Sequence, residues 1–142
     1  MAAGCSDVGL KRNPRNKGKK TSKRRVSRMA LRKKADRLFS VAIRERDGWA
    51  CRHCGSTYRV QCAHIISRRY DAVRWSMDNA VCLCAAHHMK FTHDPLGWED
   101  WVDERFGPGR LVQLKLRARS GVAKVDLEAV VGVLSHETSE PV

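Results

Sequence analysis

Cys51-Arg-His-Cys54 and, after 29 intervening residues, Cys84-Ala-Ala-His87-His88 are the two stretches that decide the fold. Each offers two metal ligands separated by two residues. Thiolate and imidazole are the donors zinc prefers, and a two-residue gap lets both side chains of a knuckle point inward. Four protein ligands leave no open position, so such a zinc is structural. Cys51, Cys54, Cys84 and His87 give knuckles of matched spacing and leave His88 free. Cys82 in place of Cys84, and His88 in place of His87, stay open as alternatives. Cys62 reads as a small buried hydrophobe in a strand, and His53, inside the first knuckle, as exposed.

Outward from the knuckles the chain divides into three parts. Residues 1–28 are a basic arm, poor in apolar side chains and expected to be disordered alone. Residues 29–106 form the domain that carries the knuckles, and 107–142 a helical extension. Leu31, Ala35, Leu38, Phe39, Ala42 and Ile43 recur at helical spacing, which predicts a helix over 29–46 that stops at Asp47-Gly48. Tyr58 to Ile65 alternates as a strand does. Residues 67–79 lack periodicity and are expected to be a loop. A short strand over 80–83 and a helix over 84–91 follow. Asp94-Pro95 opens a helix as N-cap and first turn, and Gly107-Pro108-Gly109 stops it. Two more helices are expected over 111–119 and 126–134. The fold class is therefore α+β, with a small core of two strands and a helix.

Charge points to the partner. Residues 1–34 hold thirteen Lys or Arg against Asp7 alone, a balance of +12; the other 108 residues hold fifteen basic and fourteen acidic groups. An arm of this kind, with Lys19, Lys20, Lys23, Arg24 and Arg25 at its centre, binds a polyanion such as DNA through its phosphates. There is no apolar run of about 18 residues and no secretory leader, so no membrane span and a cytoplasmic location are expected. In a reducing compartment, clustered Cys and His serve metal sooner than disulfides.

Arg46-Asp-Gly-Trp-Ala-Cys-Arg-His-Cys-Gly55, then Ala63-His-Ile-Ile-Ser-Arg-Arg69, then Asp78-Asn-Ala-Val-Cys-Leu-Cys-Ala-Ala-His-His88 together resemble the HNH endonucleases, in particular the zinc-bound type of phages and prophages. For a phage protein the compartment would be the host cytoplasm. The resemblance covers about residues 44–102. It implies a ββα-metal core in which His64 is the first His of the motif, Asn79 the central Asn and His88 the final His. It further implies a catalytic divalent ion (Mg²⁺, Mn²⁺ or Ni²⁺) at His88. The residue before the first His commonly coordinates that ion; here it is Ala63, which cannot. The ion would then rest on His88 with His93, Asp94 or Asp71, His93 being the first choice because it lies little more than a turn beyond His88.

The chemistry implied is phosphodiester hydrolysis. His64 would be the general base, since a neutral imidazole suits proton abstraction near pH 7. The Asn79 amide would fix the loop and the imidazole by hydrogen bonds. Arg68 and Arg69 would hold flanking phosphates. Two alternatives belong to other classes. One is a zinc-stabilised DNA-binding module without catalysis, a packaging or recombination accessory. The other is a zinc scaffold whose helices over 111–134 dock a protein partner or a second copy.

Overall fold

The computed structural model describes residues 25–121 and 124–138. Lys19, Lys20, Lys23 and Arg24 lie outside the described residues; Arg25 is described and is exposed. The described residues fold as six helices around a two-stranded antiparallel sheet.

Helix α1 (Arg28–Arg46) starts at Ser27, whose hydroxyl accepts from the Ala30 amide at 3.2 Å. It buries Ala35, Phe39, Ala42 and Ile43, the apolar face the periodicity predicts. It ends at Asp47, and Gly48 follows at φ 66°, a left-handed conformation glycine takes without a Cβ clash. Strand β1 (Val60–His64) is shorter than the expected 58–65, because Arg59 sits at φ 48° and a left-handed residue cannot continue a pleated strand. Strand β2 (Ala80–Cys84) pairs with it so that Val60 faces Cys84 and His64 faces Ala80.

The expected loop over 67–79 is partly helical. It holds the short helix α2 (Asp71–Arg74) and a single 3-10 turn over Met77–Asn79. Four residues are too few to show a helical period, and Val73 is the only residue α2 buries. Helix α3 (Ala85–His93) leaves directly from β2, with Cys84 at its N-cap. Helix α4 (Pro95–Phe106) is capped by Asp94, which accepts from the Gly97 amide at 3.0 Å. The Gly107-Pro108-Gly109 stop is also a start. Gly107 turns the chain at φ 90°, and Pro108 opens α5 (Pro108–Arg119) three residues before the expected position. Helix α6 (Leu127–Glu137) is capped by Asp126.

The sheet lies between two helical layers. On one side Cys62 and Ala80 pack with Phe39, Ala42 and Ile43 of α1, joined by Leu134 of α6. On the other, Ala63, Val81 and Leu83 pack with Phe91 of α3 and with Trp98 and Trp101 of α4. Leu111 and Leu114 of α5 close a third cluster with Ile65, Val73 and Val102. Helices α5 and α6 thus pack against the knuckle-bearing core at two places. Among the described residues no helix is long and apolar enough to cross a membrane.

Candidate functional site

Two groups of side chains occupy opposite ends of the sheet. The pairing puts Cys84 at one end and His64 at the other, about 13 Å apart along the strand at roughly 3.3 Å per residue.

At the first end Cys51, Cys54, Cys84 and His87 converge, their ligand atoms all within 4.8 Å of one another. Cys54 Sγ lies 3.9 Å from Cys84 Sγ, Cys51 Sγ lies 3.9 Å from His87 Nδ1, and Cys84 Sγ lies 3.2 Å from the same nitrogen. A tetrahedron with metal–sulfur bonds near 2.3 Å has edges of about 3.8 Å, so the cluster fits a zinc ion and could hold one. The first knuckle closes through Gly55 N to Cys51 O at 2.7 Å, with Gly55 at φ 76°, and is tied to the sheet by Arg52 N to Cys82 O at 2.9 Å. In the second, Cys84 and His87 are three residues apart at the start of α3 and so share a helical face.

Cys82 stands apart from the cluster. It is buried mid-strand opposite Cys62, its amide donating to Asp47 Oδ2 at 2.8 Å. Burial pushes the Cys82 thiol up to about 11 and the Cys62 thiol up to about 12, so both are neutral packing groups. Cys62 is half-buried rather than fully covered. His53 is exposed, as expected, yet its ring stacks on that of His87 with centroids 4.0 Å apart, shielding the ligand from solvent.

At the other end His64 closes β1. Its Nε2 lies 3.0 Å from the carbonyl oxygen of Arg74. A carbonyl can only accept, so Nε2 carries the proton and Nδ1 keeps its lone pair. Burial, reinforced by the charges of Arg68 and Arg74, holds the imidazole below its ordinary pKa, against the opposing pull of the carbonyl bond and Asp36. The ring is therefore neutral at pH 7. It lies against Phe39, centroids 5.4 Å apart.

Asn79 is fully buried, and its side-chain hydrogen bonds go to Ile66 and Val73, not to His64. Its Oδ1 accepts from Ile66 N at 2.7 Å, and its Nδ2 donates to Ile66 O at 3.0 Å and Val73 O at 2.9 Å. The Asn79 carbonyl accepts from Ile65 N at 2.7 Å. One amide thus closes both ends of the 66–79 segment, and at 0% exposure the Asn79 side chain is closed off from solvent.

His88 points from α3 toward β1, where its Nδ1 lies 2.7 Å from Gln61 Oε1. That bond assigns the proton to Nδ1 and leaves Nε2 as a donor nitrogen. Burial lowers its pKa. His64 and His88 together line two adjoining cavities. One, of about 400 Å³, is shared with Asp36, Ser40, Ser67 and Arg68. The other, of about 390 Å³, is shared with Ala63, Phe91, Thr92 and Trp98.

His93 lines neither cavity. Five residues along an α-helix turn about 140° away, whereas Thr92, at four, stays beneath His88 and donates to its carbonyl at 2.7 Å. Asp71 is engaged by Arg32, and Asp94 by the cap of α4. Among the described residues the Cys51 cluster is the only gathering of three or more Cys, His, Asp or Glu with metal-ligand geometry. His88 alone is not a built cation site, and Ala63 supplies no second ligand. Arg68 reaches the cavity and has no ion-pair partner among the described residues; Arg69 lies over the Tyr70 ring at 5.1 Å.

Sequence reasoning missed the supports of this end. Asp36 accepts two hydrogen bonds from Arg74, at 2.9 and 2.6 Å, and one from Trp75 Nε1 at 3.0 Å. Burial alone would push the Asp36 carboxyl up, but Arg74, then Trp75 and Arg68, hold it below the usual range. Arg117 of α5 donates to Asp78 Oδ2 and to Ser76 Oγ, both at 2.7 Å, bracing the turn before Asn79. These partners lie 38 to 41 residues apart in the chain, so no local spacing announces them.

Comparison of the chain with protein-family models, with curated proteins and with solved structures finds no match.

Proposed function

We propose that this chain is an HNH-type endonuclease that hydrolyses phosphodiester bonds in DNA, with His64 as general base and the Cys51–Cys54–Cys84–His87 cluster holding a structural zinc in a ββα-metal core. The observation that carries this is the state of His64. It is a neutral imidazole at a strand end, its Nε2–H committed to the Arg74 carbonyl and its Nδ1 lone pair left to act, in a cleft it shares with His88 and Arg68. In the reaction, Nδ1 takes a proton from water as the oxygen bonds to phosphorus. The bond from phosphorus to the 3′ oxygen breaks, that oxygen is protonated from solvent, and the imidazolium then releases its proton. Arg68 neutralises a flanking phosphate. A divalent ion would supply Lewis acidity to the phosphate and leaving oxygen. His88, through Nε2, is the residue that would hold it. Exposed Lys33, Lys34 and Arg37 on α1 extend the basic character of the 1–28 arm toward the cleft.

The weak cation site favours one alternative, a zinc-stabilised DNA-binding module without catalysis. Incubating supercoiled plasmid with the full chain in Mg²⁺, Mn²⁺ or Ni²⁺ separates the two. Conversion to nicked or linear DNA is expected. DNA binding with no cleavage under any of the three ions would favour the binding module.

A further inference from the structure

The side chains of the cleft are held from behind by a chain of hydrogen bonds that begins on a different element, helix α1. Asp36 projects from the middle of α1, 38 residues from its partner Arg74. Its two oxygens take the guanidinium fork of Arg74, from Nε at 2.9 Å and Nη2 at 2.6 Å, and one of them also takes Trp75 Nε1 at 3.0 Å. The third arm of the same guanidinium, Nη1, donates to the Arg68 carbonyl at 2.7 Å. The backbone carbonyl of Arg74 accepts from His64 Nε2. One carboxylate therefore immobilises the residue that ties together the Arg68 end of the loop, helix α2 and the His64 ring. A planar fork held at both oxygens resists rotation as a single hydrogen bond does not. Asp36 also lines the His64 cavity, so its charge stands within the site it braces.

We propose that Asp36 is a positioning residue for His64, acting through Arg74 to keep the imidazole as the Nε2–H tautomer with Nδ1 turned to the cleft. Only the kinetic arm of the test rests on the endonuclease assignment. Asp36→Asn keeps the size and one acceptor oxygen but loses the charge and the two-oxygen grip. The Arg74 carbonyl is then free to shift, and the imidazole loses the acceptor that selects its tautomer. Asp36→Glu restores the charge and the fork from a longer stem.

The test uses the zinc-loaded full chain, with ¹⁵N-labelled histidine, in wild type, Asp36→Asn, Asp36→Glu and Arg74→Lys. Two-dimensional ¹H–¹⁵N spectra report the His64 tautomer whether or not the protein cleaves DNA. In the wild type, Nε2–H alone is expected. In Asp36→Asn and Arg74→Lys a mixture with Nδ1–H is expected, and kcat for plasmid nicking should fall about 10-fold to 100-fold with KM within about twofold. Asp36→Glu should recover most of both. A folded Asp36→Asn that keeps the pure Nε2–H tautomer, whatever its melting temperature, overturns the proposal and leaves Asp36 a stabilising ion pair only. Should Asp36→Asn not fold, Arg74→Lys decides by the same two outcomes. A wild type that binds DNA without cutting it would remove the endonuclease assignment, and the tautomer measurement would still decide the role of Asp36.

Discussion

The two ends of the β1–β2 sheet are ordered in different ways. At the Cys84 end, four side chains converge on a point, and coordination would hold them; among the described residues no carboxylate joins the cluster. In the cleft that runs from His64 to His88, side chains do not converge on a point. Each side chain is held separately, His64 by a carbonyl, His88 by Gln61, Asn79 by three backbone groups and Arg74 by Asp36. A closed centre makes a rigid staple. An open cleft whose groups are each fixed from behind leaves their reactive sides toward solvent. The first arrangement suits folding and the second suits chemistry, and the contrast predicts that damage to each end shows in a different measurement.

Loss of zinc should have the largest effect. Structural zinc contributes an apparent ~10–16 kcal/mol in small zinc-bound peptides, comparable to the entire ~5–15 kcal/mol net stability of a domain. Cys84→Ser, or exhaustive chelation, should abolish the cooperative thermal transition by circular dichroism and reduce bound zinc from one per chain to near none. A chelated chain with an unchanged melting curve would erase the distinction between staple and cleft.

Asn79→Ala comes next, because Asn79 belongs to the cleft yet acts on folding. Ile66 N and Ile66 O would lose their partner in a partly buried place, and Val73 O would keep its bond from the Ser76 amide. At ~1–3 kcal/mol per unpaired group, with two groups left unpaired, the loss is about 2 kcal/mol or more, a fall in Tm of at least about 5 °C. Zinc content should stay at one per chain. A Tm within about 2 °C of wild type would show that water replaces the amide.

Acid should act mainly on the cleft. His64 and His88 both have folded pKa values below the unfolded one, so the native state resists their protonation. Their contribution to stability is full above about pH 6.5 and is lost as pH falls through their depressed folded values. Tm should therefore decline below pH 6.5, and His64→Gln should reduce that decline. Asp36, held below the usual carboxylate range, keeps its contribution until pH falls well beneath that window. The smallest effect is expected from Gln61→Ala, which frees His88 at an exposed hydrogen bond. Cleavage should weaken by less than about tenfold, with Tm unchanged.

The same contrast explains what was legible in the sequence. The Cys/His cluster could be read because its ligands come in two local pairs, and two-residue spacing is itself the geometry of a knuckle. The choice of Cys84 over Cys82 follows from position: the last residue of β2 begins α3, while Cys82 lies mid-strand against Cys62. His64, Asn79 and His88 had no such local signature and were named by resemblance. Their supports had no signal at all, since Asp36, Arg74 and Gln61 meet their partners only once α1 and α3 have packed on the sheet. His93, chosen for nearness to His88 along the helix, lines neither cavity, because five residues carry it about 140° around α3. The helix α2 was missed because four residues carry no period.

We propose that His64 performs chemistry in a cleft whose fold does not depend on it. The direct test is single-turnover cleavage of plasmid DNA by zinc-loaded His64→Ala beside the wild type, in the ion that supports the highest wild-type rate. The variant is expected to keep one zinc per chain, its melting temperature within a few degrees and its DNA affinity, while its cleavage rate falls by about 10²-fold to 10⁴-fold. Undiminished cleavage by the folded variant would contradict the account.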